Sequence, residues 1–178
     1  LSKAEKSFDT AQKMYDSSFG WRFINPKMEQ LYGTDAMGKT AENLAELYKI
    51  SREEQDEFAL NSQLKAKKAQ ESGRLSEEIS DVEIPQKKGN SIIFNQDEFI
   101  KPNSTLEILS SLKPAFVKEN GTVTAGNSSG LNDGAAAVLI ASEDAVKNYQ
   151  LKPIAKIVSS AVIGVEPRIM GIGPVEAS

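Results

Sequence analysis

Two apolar runs near the end of the chain constrain its fold more than any other feature. Ala135–Ala141 is short and almost wholly apolar, and Pro153–Gly164 carries Ile154, Ala155, Ile157, Val158, Ala161 and Val162. Between them, Ser142-Glu143-Asp144 is expected to open a helix to about Tyr149. Both runs are far too short to cross a bilayer. They are expected as buried strands, and strand–helix–strand is the α/β pattern. A single parallel unit cannot cover both of its own faces. The second half is therefore expected to belong to a larger sheet whose remaining strands lie outside these 178 residues.

The first half has a different character. Residues 1–20 suggest a loose helix. Asn25-Pro26 disfavours helix at Asn25, so a loop or turn is expected there. Trp21, the single Trp of the chain, is either a buried anchor for that loop or the wall of a substrate or subunit-contact pocket. Over Lys39–Ile50, Ala41, Leu44, Ala45, Leu47 and Tyr48 fall on one stripe and predict an amphipathic helix. Ser51 and Glu54 have the spacing of a capping box, opening a helix that should stop near Ser72-Gly73. Its inward stripe would be Phe58, Ala59, Ser62, Ala66 and Ala69. Glu53, Glu54, Asp56 and Glu57 complement the helix dipole; no second ligand cluster accompanies them, so no metal site is expected. Glu78–Ile84, closed by Pro85, and Ser91–Phe94 should pair as a hairpin across Lys87–Asn90. Asn103 or Ser104 should cap a short helix through Leu112, ended by Pro114, and Asn120-Gly121 is a turn signal.

Composition narrows the function classes. A content of 39% hydrophobic and 26% charged residues suits a globular chain rather than a disordered or membrane-spanning one. With 21 basic residues and a net charge of −4, no face-wide cationic excess is available for nucleic acid. The first residues lack the apolar core of a signal peptide, which points to the cytoplasm. Leu1 is not an initiator Met, and an upstream segment is expected to have been removed. Zero cysteines exclude disulfides and thiolate zinc sites.

Gly121–Ala137 joins the two halves. Its four glycines and many small residues let a ligand or another backbone approach closely. No Gly-Lys-Ser/Thr follows, so it is not a phosphate-cradling loop, and Gly126-x-x-x-Gly130 does not fit the dinucleotide fingerprint. Together with Met170-Gly171-Ile172-Gly173-Pro174, this stretch resembles the thiolase family. Three further segments carry the resemblance in the same order. Met37-Gly38-Lys39-Thr40-Ala41-Glu42-Asn43-Leu44-Ala45 resembles the family's MG-x-TAEN-x-A. Ile50–Ala59 resembles its ISREEQDxFA, and Leu112-Lys113-Pro114-Ala115-Phe116 its LRPAF. The Gly20–Pro26 stretch is most similar to thiolases acting on 3-oxoadipyl-CoA or related 3-ketoacyl-CoA substrates.

The resemblance implies an α/β, thiolase-like fold of which this chain is a central fragment. Residues 1–19 would be a leading segment and 20–117 the loop domain. Residues 118–150 would end the amino-terminal core domain, and 151–178 would start the carboxy-terminal one. It implies a parent acyltransferase that moves acyl groups between 3-ketoacyl-CoA or acetyl-CoA and coenzyme A through an acyl-cysteine, acting in fatty acid metabolism as a dimer or tetramer. No metal or redox cofactor is implied. The resemblance places Lys101, Phe116, Ala125 and Ser129 against coenzyme A, and Met37 and Met170 in the acyl pocket. Lys101 stands where the family often has arginine, Ala36 where several members have histidine, and Ile108 where some have serine. No catalytic residue is assigned. Thiolysis needs a thiolate, a base and an oxyanion hole, and the chain has neither Cys nor His. The alternative is a stand-alone, non-catalytic module that binds acyl-CoA or another protein.

Overall fold

The computed structural model describes Trp21 and residues 23–178. The expectation of a helix over 1–20 lies outside the described residues. Helix α1 spans Pro26–Tyr32. The Asn25 side chain accepts from the Lys27 N–H at 2.9 Å, and Pro26 takes the first helical position, where its missing N–H costs nothing. Asn-Pro therefore starts a helix where only a turn was expected. Helix α2 spans Met37–Tyr48 and α3 spans Arg52–Glu71. The capping box on α3 is present in full: the Ser51 hydroxyl accepts from the Glu54 N–H at 3.1 Å, and the Ser51 N–H donates to Glu54 at 2.8 Å. Gly73, with φ at 80°, follows the end of α3 as expected.

After a 3₁₀ turn at Leu75–Glu77, β1 (Val82–Ile84) and β2 (Ile92–Phe94) form the expected hairpin. It is antiparallel, with Val82 opposite Phe94 and Ile84 opposite Ile92. The first strand is shorter than the expected Glu78–Ile84: Glu78 closes the 3₁₀ turn, its N–H donating to the Leu75 carbonyl, and only Val82–Ile84 pair with β2. Helix α4 (Leu106–Ser110) is capped by Thr105, whose hydroxyl accepts from the Ile108 N–H at 3.3 Å. That corrects the expectation of Asn103 or Ser104. The Glu107 carboxyl sits below its ordinary pKa, chiefly through a hydrogen bond with the Thr105 side chain and then one with its own backbone. Helix α5 (Glu143–Asn148) begins at the expected Ser142 cap. A 3₁₀ turn at Pro167–Ile172 then leads into α6, Gly173–Ala177.

Two expectations fail. Neither Ala135–Ala141 nor Pro153–Gly164 forms a strand, and the only sheet among the described residues is the hairpin. Val138 is 86% exposed, Val162 99% and Ile154 fully exposed. A strand exists only by pairing, and these segments find no edge to pair with. The buried centre lies instead where α2, α3, α4 and the loop around Val123 meet. It holds Ala45, Leu109 and Val123 with the polar Thr40, Glu42, Asn43, Asp56 and Thr124. Of the expected apolar stripe of α2, Ala45 is buried but Leu47 and Tyr48 are exposed, and the buried face also carries the polar Thr40, Glu42 and Asn43. Phe58 likewise points outward rather than into a core.

Candidate functional site

The small-residue loop Gly121–Gly130 is held by side chains from both long helices. Glu42 of α2 is charged yet buried. One carboxylate oxygen, Oε1, accepts from the N–H groups of Thr122 at 3.0 Å and Val123 at 2.9 Å. The other, Oε2, accepts from the Thr122 N–H at 2.9 Å and the Thr122 hydroxyl at 2.8 Å. A carboxylate leaves water only when its oxygens are satisfied in this way. Glu42 thereby pins a loop 80 residues further along the chain.

Asp56 of α3 makes a second anchor and is 2% exposed. Its Oδ2 accepts from Arg52 Nε at 2.8 Å, and its Oδ1 from Asn127 Nδ2 at 2.9 Å. Arg52 also donates through Nη2 to the carbonyls of Leu109 and Leu112, tying α4 to α3. Asn127 uses its whole amide: Nδ2 also donates to the Thr122 carbonyl at 2.9 Å, and Oδ1 accepts from the Thr124 N–H at 2.7 Å. The Thr124 hydroxyl accepts from the N–H groups of Gly126 and Asn127, and Ser128 donates back to the Thr124 carbonyl. Every buried side-chain polar atom among the described residues has a partner. The loop is thus set by two carboxylates placed on rigid helices and by its own Asn127, and Ala125 and Ser129 lie exposed on it.

Close approach accounts for two glycines. The Phe116 ring occupies the space that a Cβ on Gly38 would need, and Leu109 and Leu112 do the same at Gly126. Phe116 therefore lies against the first turn of α2, beside Met37. Met170 comes from the 3₁₀ turn that packs on α2. Met37, Phe116 and Met170 thus gather around one helix, and all three are exposed. Lys101 and Ser129 belong to a second locality centred on Phe99. The Lys101 ammonium lies 5.3 Å from the Phe99 ring centroid, and the same ring packs on Gly130. The Lys101 N–H donates to Gln63 Oε1 on α3 at 2.8 Å. Ser129, Phe99, Gln63 and Ser62 line an open groove of about 850 Å³ between α3 and the loop. Ala59 and Ala66 of the predicted small-residue stripe line it too.

A smaller pocket of about 280 Å³ lies beside the α2 contact. Trp21, Met28, Tyr32, Thr34, Asp35 and Arg168 line it. Asn43 fixes its floor, donating from Nδ2 to Asp35 Oδ2 at 2.8 Å and to the Arg168 carbonyl at 2.9 Å. Trp21 is thus a pocket wall rather than a buried anchor. The sequence reading singles out neither Glu42, Asn127 nor Arg168 as a site residue, and it gives Asp56 only a dipole role. A carboxylate at α2's sixth position, facing away from the apolar stripe, looks like a solvated residue until the loop it holds is known. No group of His, Cys, Asp and Glu among the described residues could hold a metal. No helix among them is long and apolar enough to cross a membrane.

These helices, hairpin and small-residue loop have counterparts in known proteins. Residues 4–144 match the family described as the thiolase N-terminal domain. The chain belongs to the thiolase family. It is 52% identical over 177 residues to the beta-ketoadipyl-CoA thiolase of Acinetobacter baylyi, covering 99% of this chain and 44% of that one. The crystal structure of the Bacillus anthracis acetyl-CoA acetyltransferase superposes with a TM-score of 0.77 at 43% identity, over 93% of this chain and 43% of that one. Human mitochondrial 3-ketoacyl-CoA thiolase, crystallised in complex with CoA, gives a TM-score of 0.73 at 49% identity, over 81% of this chain and 35% of that one. The chain thus spans under half the length of these thiolases. The thiolase motifs quoted above converge in space: Glu42 and Asp56 belong to two of them, and both grip the Gly-rich third.

Proposed function

We propose that this chain forms the coenzyme A-facing part of a thiolase that transfers acyl groups between 3-ketoacyl-CoA or acetyl-CoA and coenzyme A. The observation that carries this reading is the loop fixed by Glu42, Asp56 and Asn127. It presents Ala125 and Ser129 outward on a preset backbone, and a narrow thioester arm needs small residues whose backbone it can approach. Ala125 and Ser129 are the pantetheine contacts, Phe116 lies against the adenine or the pantetheine, Lys101 stands beside the nucleotide, and Met37 and Met170 line the acyl pocket. Lys101 offers a point charge without the planar stacking of arginine, so its nucleotide contact is the weaker kind. Residues 20–117 act as the loop domain, 118–150 complete one core domain and 151–178 begin the next. The two exposed apolar runs join the core sheet of the whole enzyme, which works as a homo-oligomer. Coenzyme A and acyl-CoA are substrates, and the reaction as proposed uses no resident cofactor.

The nucleophile is a cysteine elsewhere in the protein, because these residues contain none. The purified chain should therefore show no thiolysis of acetoacetyl-CoA above a catalyst-free control. The complete reading frame, incubated with acetyl-CoA, should carry one acetylated cysteine by peptide mass spectrometry. Turnover by the isolated chain, or no acyl-cysteine on the complete protein, would overturn the reading.

A further inference from the structure

Asn120-Gly121 is the only Asn-Gly pair in the chain, and it stands at the entrance to the loop that Glu42 holds. Asn120 is exposed, with φ at 56°, in the left-handed region that asparagine enters more readily than most residues. Its side-chain amide makes no hydrogen bond among the described residues. Asn127, in the same loop, has the opposite environment. Its Nδ2 donates to Asp56 and to the Thr122 carbonyl, and its Oδ1 accepts from the Thr124 N–H. The amide carbon of an asparagine is an electrophile for the main-chain nitrogen that follows it. A following glycine has no Cβ to screen that nitrogen or restrict its approach.

We infer that Asn120 is a site of spontaneous covalent modification, the point at which an ageing chain loses the grip of Glu42 on its loop. The Gly121 nitrogen attacks Asn120 Cγ and forms a new C–N bond. The bond from Cγ to the side-chain nitrogen breaks, and that nitrogen leaves as ammonia with the proton from the Gly121 N–H. Water then opens the cyclic imide at one of its two carbonyls. One opening gives aspartate; the other gives isoaspartate, with the main chain rerouted through the side-chain carbon. Nothing is oxidised or reduced, and water is the only co-reactant.

The loop has no slack for the isoaspartate, which lengthens the main chain by one methylene between residues 120 and 121. The Ala115 N–H donates to the Val123 carbonyl at 2.9 Å and closes residues 115–123 into a ring. Thr122 and Val123 are tied to Glu42 at the end of that ring. Gly121 lies so close to the Val117 carbonyl and to Pro114 that even a Cβ would not fit. The added length is therefore taken up by lifting Thr122 off Glu42. Either product also places a new carboxylate two residues from an anchor that is itself a carboxylate.

The test is to age the purified chain at body temperature and mildly alkaline pH, once folded and once in urea. Trypsin releases the peptide Glu119–Lys147, which carries both Asn120 and Asn127, so fragment masses place any change of amide to acid. Labelling by a protein isoaspartyl methyltransferase then counts the isoaspartate. In the folded chain Asn120 should convert while Asn127 stays intact, and urea should expose Asn127 to the same reaction. In the isoaspartyl form, amide exchange at Thr122 and Val123 should be about tenfold faster or more, the scale of one lost buried hydrogen bond. Asn120→Gly keeps a residue suited to positive φ and removes the electrophile, so its Thr122 and Val123 amides should stay slow through the same incubation. An intact Asn120 in the aged folded chain, or earlier conversion of Asn127, overturns the inference. So does unchanged exchange in the isoaspartyl form, or equal loosening of Asn120→Gly on ageing.

Discussion

At the scale of single residues, this molecule is organised by carboxylates rather than by apolar anchors. Glu42 accepts four hydrogen bonds from two consecutive residues of the loop. In Glu42→Gln one oxygen becomes an NH₂ group that faces N–H or O–H donors, leaving at least one of them buried and unpaired. We expect a loss of about 1–3 kcal/mol of stability, measured by urea denaturation, with faster amide exchange at Thr122 and Val123. An unchanged midpoint would mean that the loop is held without Glu42. The sequence makes such residues hard to identify. Family resemblance marks Glu42 and Asn43 as part of a motif, but periodicity points to the opposite, apolar face of α2. Periodicity ranks faces by hydrophobicity, and it cannot know that a polar face will meet a backbone full of unpaired N–H groups.

At the scale of elements, local chemistry was legible and long-range pairing was not. The Ser51 box, the Ser142 cap, the stop at Gly73 and the hairpin all follow from residues within a few positions of one another, and all are present. Ser51→Ala should cost about 0.5–2 kcal/mol through the lost acceptor for the Glu54 N–H, measured as a shift in the denaturation midpoint. No shift would show that α3 is held by Arg52 and its partners alone. The misses have equally local causes. Asn25-Pro26 works as a cap and first helical residue, and Thr105 outcompetes its neighbours because its hydroxyl reaches the Ile108 N–H. The two apolar runs have strand composition, but composition supplies no partner edge. Of the site, the loop and its exposed positions were readable, whereas Arg168 and the aromatic pocket depend on segments more than a hundred residues apart.

At the scale of the whole molecule, the chain exposes 15583 Å². A compact monomer of 19.3 kDa would expose about 8,500 Å². Leu139, Ile140, Ile157 and Val158 are each at least three-quarters exposed. Unpaired apolar segments associate with other copies. Light scattering on the purified chain should therefore give a mass above 19.3 kDa, falling when Val138, Ile140, Val158 and Val162 are all changed to Ser. A monomeric mass with protected amides across Ala135–Ala141 would show that these segments pair within the chain.

The long reach of Glu42 also has a consequence in time. A ribosome adds about 5–20 residues per second, and 80 residues separate Glu42 from Thr122. Helix α2 therefore leaves the exit tunnel about 4–16 s before its loop does. Throughout that interval its polar face is hydrated rather than sticky, so the nascent helix can wait in water without a chaperone to shield it. An apolar face in the same position would spend those seconds open to capture by the wrong partner. Placing the charge on the early helix and the backbone donors on the late loop lets synthesis outlast assembly safely.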